Sequence, residues 1–133
     1  MKLSKKDQEL IDVATKVVKE NCNIYPSVNL HVACALRAKS GNVYVGINLK
    51  TSHSVCAEQV AIGNAYACGE REFETIVAVQ LDNNYQPHIV APCGLCRYIF
   101  DKLDLNMFII VPNGKKLAKV NVKDLLPYPY VKN

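Results

Sequence analysis

Three cysteines and one glutamate stand at a spacing that could carry metal-assisted acid–base chemistry. Cys93 and Cys96 form a C-x-x-C pair directly after Pro92, and Cys56 lies 37 residues before Cys93. A C-x-x-C turn places two sulfurs on one side, near enough to share a tetrahedral ion, and a third thiolate fills a third corner. Three protein ligands and one open position is the arrangement of a catalytic zinc. Glu58 follows Cys56 by two residues. From the first turn of a helix its carboxylate can reach the open corner without coordinating the metal. Zinc lowers the pKa of a bound water from about 15.7 toward about 7. A carboxylate beside that water can take its proton and deliver it elsewhere.

These residues need elements that bring them together. Cys56 and Cys93 each open a helix in this reading. A helix start offers unpaired N–H groups and a partial positive charge, and both favour thiolate over thiol. Residues 56–67 have the small apolar composition of a close-packed buried helix, ended near Gly69. The helix that Cys93 opens runs to about Leu103. Ser4 and Asp7 form a capping box, and Leu10, Val13, Ala14 and Val17 recur at helical spacing, so residues 4–20 make an amphipathic helix. Pro26 lies in the loop that follows. Residues 31–39 and 43–48 read as a hairpin about the Ser40–Gly41–Asn42 turn, and 49–55 as a polar loop. The nearly continuous apolar run 75–81 reads as a central parallel-type strand. A short HIVA segment, a strand at 107–111, a strand near 117–120 and a short helix near 122–126 complete the pattern. Alternating strands and helices predict an α/β fold, a three-layer α/β/α sandwich on a five-stranded mixed sheet, with residues 1–133 as one domain. The metal then sits at helix N-termini beyond strand ends, where open α/β sheets place their ligands.

Bulk properties narrow the partners. The chain has 133 residues, 50% of them hydrophobic, so it can bury a real core. No apolar run approaches the roughly 20 residues that cross a bilayer, and Met1 to Asp7 carries no apolar leader stretch. The expected location is cytoplasmic, without membrane association. The net charge is +4. Its densest basic group, Lys115, Lys116 and Lys119, reads as a solvated face, and no basic stripe interleaved with aromatics suggests a nucleic-acid polymer as partner. Of six cysteines, Cys22, Cys34 and Cys68 sit singly among small neighbours and read as core residues.

Cys56-Ala57-Glu58 and Pro92-Cys93-Gly94-Leu95-Cys96-Arg97 resemble the zinc site of the cytidine deaminase superfamily. The resemblance extends over nearly the whole chain, and within the superfamily it is strongest to the blasticidin S deaminases, through residues 73–79, 92–97 and 124–130. It implies hydrolytic removal of the amine of a cytosine-type nucleoside, with Zn2+ held by Cys56, Cys93 and Cys96 and protons carried by Glu58. It also implies that the backbone of Ala57 and Pro92 holds the reacting edge of the base. Asn48 matches the Asn of the Asn-x-Glu that grips the ribose in cytidine deaminases, but Lys50 stands where that Glu is expected. A lysine suits an anionic group on the sugar, such as the carboxylate of blasticidin S. The resemblance further implies a homotetramer, with Tyr130 of the aromatic tail covering a neighbour's pocket.

Other readings remain at this level. His53 could close a structural zinc clip, and Cys93 and Cys96 could form a redox pair. Both leave Glu58 without a purpose. The chain could act on another amino-heterocycle, or bind a nucleoside without turnover. Arg97 could offset the excess charge of three thiolates on one zinc or lie on the surface. His31 could reach the pocket or merely begin a strand.

Overall fold

The computed structural model describes residues 2–22 and 31–132. The readings made for Pro26 and for the side chain of Cys22 lie outside the described residues. The first helix, α1 (Lys5–Cys22), starts where the capping box places it. The Ser4 main-chain N–H donates to Asp7 Oδ2 at 2.9 Å, and the Asp7 N–H donates to Ser4 Oγ at 3.2 Å. Its buried stripe is Leu10, Ile11, Ala14 and Val18, with Val13 and Val17 at the margin.

The strands are β1 (Val32–Ala38), β2 (Val43–Ile47), β3 (Phe73–Leu81), β4 (Pro87–Val90), β5 (Phe108–Asn113) and β6 (Lys116–Asn121). They form one mixed sheet in the order β2–β1–β3–β5–β6. These five strands are the expected mixed sheet; off that path the short HIVA stretch adds β4, which pairs with Ala78–Leu81 of β3, while β5 pairs with β3 at Thr75 and Ile76. The parallel reading of β3 holds only for its pair with β5; it runs antiparallel to both β1 and β4. Its apolar run has another cause. Both faces of the strand are covered, and a doubly covered strand is apolar throughout whatever its direction.

That cover is the three-layer sandwich. Ala33, Ala35, Val77, Val79 and Ile110 face α1. Cys34, Leu36, Ile76 and Ile109 face the opposite side, where α2 (Ala57–Ala67) and α3 (Gly94–Lys102) pack with Ala61, Ala65, Cys96 and Phe100. Successive strand side chains point to opposite faces, so each strand serves both layers. A 3₁₀ turn over Val122–Leu125 buries Val122 against the same side.

One close approach fixes α2. A Cβ on Gly46 of β2 would lie 2.5 Å from Ala61 N and 2.6 Å from Ala57 O. Only glycine lets this strand touch the helix backbone directly. The contact registers the first turn of α2, which bears Glu58, against the strand that ends beside Asn48.

Two expectations fail here. Cys68 is exposed at the C-cap of α2 rather than buried, because it follows Ala65 and Tyr66, which take the core face, and lies on the outer side of the helix end. Lys119 is not on a solvated face. It lies on β6 with its side chain 13% exposed, paired to Asp7 Oδ2 at 3.0 Å. Lys115 and Lys116 are exposed as expected. Among the described residues no helix is long and apolar enough to cross a membrane.

Candidate active site

The loop after β2 delivers Cys56 to α2. Leu49 and Val55 exchange two main-chain hydrogen bonds of 2.9 Å, which closes the loop on itself. Inside it Ser54 Oγ donates to Thr51 O at 2.9 Å, and the His53 N–H donates to Thr51 Oγ1 at 3.0 Å. Cys56 is the N-cap of α2 and Cys93 the N-cap of α3, both extended and both without a side-chain cap. Sulfur thus occupies the two positions where helices usually carry a capping oxygen. The sulfurs of Cys56, Cys93 and Cys96 all lie within 4.8 Å of one another, with Cys56 and Cys93 3.5 Å apart.

Among the described residues no imidazole or carboxylate joins that group. His53 is exposed, its ring 3.3 Å from Ser52 Oγ, so the closed structural clip does not form.

The electrostatics fit a cation. Burial raises the Cys56 thiol, helped by its bond to Cys93. Burial lifts Cys96 far above the ordinary thiol range, and the charges of Glu58, Cys56 and Cys93 push it further. Cys93 alone is lowered: burial opposes this, but the N–H groups of Cys96 and Leu95 and the neighbouring thiols outweigh it. Three thiols this close cannot all ionise unaided. A divalent ion removes that conflict, and the donor set suits zinc.

Glu58 is 5% exposed in the first turn of α2. Burial raises its carboxyl above the usual range, against the pull of its own main-chain N–H and the Cys96 thiol. Gln59 adds a feature that motif reading missed. Its Nε2 lies 3.9 Å from Cys96 Sγ. It stands three residues after Cys56, one helical turn on, which is the signal that could have found it.

The remaining site residues divide. Ala57 and Pro92 are buried beside their cysteines. Asn48 lies at the strand end, half-buried, but its Oδ1 accepts from the Val32 N–H at 3.0 Å and its own N–H donates to Val32 O at 3.1 Å. It extends the β1–β2 ladder by one rung. Lys50 is exposed on the loop, and His31 is half-buried with its carbonyl accepting from the Leu81 N–H. Tyr130 is 75% exposed, and its carbonyl accepts from Lys102 Nζ at 2.7 Å. Lys102 ends α3, and its Nζ lies 5.6 Å from the Tyr98 ring and 5.8 Å from the Tyr130 ring, so the tail packs back along α3. Arg97 is half-buried. Its Nε donates to Pro92 O at 2.9 Å and its Nη1 to Leu125 O at 3.2 Å.

The family model for the cytidine and deoxycytidylate deaminase zinc-binding region matches residues 4–111. The chain belongs to that family. The deaminase is 31% identical to a blasticidin-S deaminase of Bacillus cereus, over 98% of this chain and 96% of that one. It is 35% identical to a cytidine deaminase of Shewanella sediminis over 59% of this chain, but spans only 25% of that protein's length. A crystal structure of cytidine deaminase from Burkholderia pseudomallei superposes with a TM-score of 0.73 at 27% identity, covering 96% of this chain and all of that one. The deaminase is therefore a zinc-dependent hydrolase of the cytidine deaminase type, with the fold of those neighbours.

Proposed function

We propose that this deaminase hydrolyses the exocyclic amine of a cytosine-type nucleoside, cytidine, deoxycytidine or blasticidin S, to the uracil form. The observation that carries the reading is the meeting of three sulfurs at two helix starts, with a buried carboxylate one turn away that is not part of their cluster. Cys56, Cys93 and Cys96 hold the zinc. When bound, the ion supplies a Lewis acid that makes water acidic near neutral pH. Glu58 takes a proton from the attacking water and gives it to the ring nitrogen as the oxygen bonds to C4. It then takes the remaining proton from the new C4 hydroxyl and passes it to the amine; the C–N bond breaks as the C4 carbonyl forms, and ammonia leaves. The backbone at Ala57 and Pro92 orients the base edge, and Asn48 lies at the sugar end.

The end-to-end match to the Bacillus cereus blasticidin-S deaminase supports the small-enzyme branch of this substrate class. Lys50, exposed on the loop before Cys56, suits an anionic sugar. We read the chain as one cytoplasmic domain that assembles as a homotetramer. An isolated chain leaves Leu95, Tyr98, Tyr128 and Tyr130 exposed, an apolar and aromatic surface that another copy can cover. Light scattering should give four times the 14.8 kDa chain mass; a monomer overturns the shared-site part.

The deciding experiment is ammonia release from cytidine, deoxycytidine and blasticidin S, side by side, for the parent and for Glu58→Gln. The parent should turn over at least one. The variant should keep its zinc and lose turnover by about 10²–10⁴-fold. Undiminished turnover would remove Glu58 from the reaction. Zinc bound with no turnover of any of the three would favour a binding protein or another amino-heterocycle.

A further inference from the structure

We propose that Arg97 is a positioning residue that sets the conformation of the Cys93 ligand turn and couples it to the C-terminal segment. The inference rests on the reading of Cys93 as a zinc ligand.

The Cys93 sulfur meets the N–H groups of Leu95 and Cys96 and the Cys56 sulfur, all within the ligand cluster itself; its backbone is held from elsewhere. Cys93 is exposed, it is an N-cap, and no side chain caps its helix. A ligand sulfur is placed by the two peptide planes that flank its Cα. Here one residue grips both. The plane before Cys93 ends in the Pro92 carbonyl, which accepts from Arg97 Nε at 2.9 Å. The plane after it carries the Cys93 carbonyl, which accepts from the Arg97 main-chain N–H at 3.1 Å. Pro92 is buried and its own φ is restricted by its ring. The extended backbone of Cys93, φ −69° and ψ 170°, is thus pinned on both sides.

The same guanidinium has a second target. Arg97 Nη1 donates to Leu125 O at 3.2 Å, the last residue of the 3₁₀ turn. Beyond it runs the tail, whose Tyr130 carbonyl is held by Lys102 of the same helix. One planar group therefore bridges the start of the ligand turn and the root of the tail. A carbonyl has two lone pairs, so the bond from Arg97 orients Pro92 O without exhausting it for the base.

A lysine keeps the charge and the stem but not the fork. It cannot donate along two fixed directions to two carbonyls at once. Arg97→Lys should therefore keep the fold and lose the geometry. Chelator competition should show zinc held roughly 10–100-fold more weakly than by the parent. The cobalt-substituted variant should show altered thiolate-to-cobalt charge-transfer absorption. Hydrogen exchange should quicken together over residues 92–97 and 122–130, with α1 unchanged. Zinc affinity within twofold of the parent and an unaltered cobalt spectrum would overturn the positioning role. Faster exchange confined to 92–97 would overturn the coupling.

Should Arg97→Lys not fold, the parent protein still decides the coupling: chelating its zinc must quicken exchange over 122–130 as well as 92–97, and a change in 92–97 alone sinks it. Cys93→Ala separates the two readings. If that variant keeps full zinc affinity, the ligand assignment fails. If it loses zinc while Arg97→Lys does not, the assignment stands and the inference fails.

Discussion

On the α1 face of the sheet Asp7 is fully buried between Arg37 and Lys119, whereas on the opposite face Glu58 is almost as deeply buried beside three sulfurs. The first region is settled by the protein itself. Arg37 Nη2 donates to Asp7 Oδ1 at 3.1 Å, its Nε to Glu74 Oε1 at 2.9 Å, and its Nη1 to Lys6 O at 2.9 Å. Two cations meet two carboxylates. Burial alone would raise the Asp7 carboxyl, but the Ser4 N–H, Lys119, Arg37 and the Ser4 hydroxyl bring it down to about 2. The second region sums the other way. Glu58, Cys56 and Cys96 are all raised, and each adds to the crowding of negative charge. The fold spends its own cations on Asp7 and leaves the sulfur side to be completed by a metal. A buried charge with all its partners is architecture; buried groups that disfavour one another's ionisation mark the place for a ligand.

Changing each buried carboxylate to its amide should separate the two regions. Glu58→Gln carries the largest effect on turnover and should cost no stability. The raised carboxyl is stabilising only when protonated, below its unfolded pKa, and that contribution is lost as pH rises through its folded pKa. The amide removes a buried group whose charged form the interior disfavours. Asp7→Asn should do the reverse. It leaves Lys119 and part of Arg37 facing a neutral group in the interior, which typically costs about 3–5 kcal/mol. The kcat of the molecules that remain folded should match the parent. Urea unfolding and zinc-saturated kinetics on both variants test the pair. A turnover loss in Asp7→Asn as large as that in Glu58→Gln would merge the two regions into one functional unit.

The two regions also differed in how far they could be read from the chain. The sulfur site is written in local spacings, C-x-E and C-x-x-C, each set within one helical turn. The α/β alternation was legible for the same reason. The Asp7 cluster is not local. Its partners lie 30 and 112 residues away in sequence. The capping box identified Asp7 as a helix-start residue, but nothing in its neighbours showed that the second oxygen lies under β6. Lys119 was misread for the same reason: beside Lys115 and Lys116 it looks solvated, and only strand alternation turns it inward. Cys68 failed in the opposite direction, since Ala67 and Gly69 make it look buried while the helix end exposes it. Gln59 was missed because an amide next to a stronger candidate carries no spacing of its own.

Acid should expose the smallest of these differences. The Asp7 carboxyl sits below its usual value of 3.8, at about 2, in the folded protein. A lowered carboxyl contributes stability that is fully present above the unfolded pKa and is lost as pH falls through the folded one. The window is therefore from about pH 4 down to about pH 2, and the amount is about 2 kcal/mol. Other carboxylates titrate over the same range, so the informative quantity is the gap between the parent and Asp7→Asn, not either curve alone. That gap should be constant near neutrality and close by about 2 kcal/mol as the solution approaches pH 2, when unfolded and folded Asp7 both take up a proton. The thiol site does not distort the comparison, because both proteins carry the same cysteines and lose zinc together in acid. A gap that stays flat from pH 7 to pH 2 would mean that Asp7 is held by hydrogen bonds rather than by charge, and the contrast with Glu58 would then be one of geometry alone.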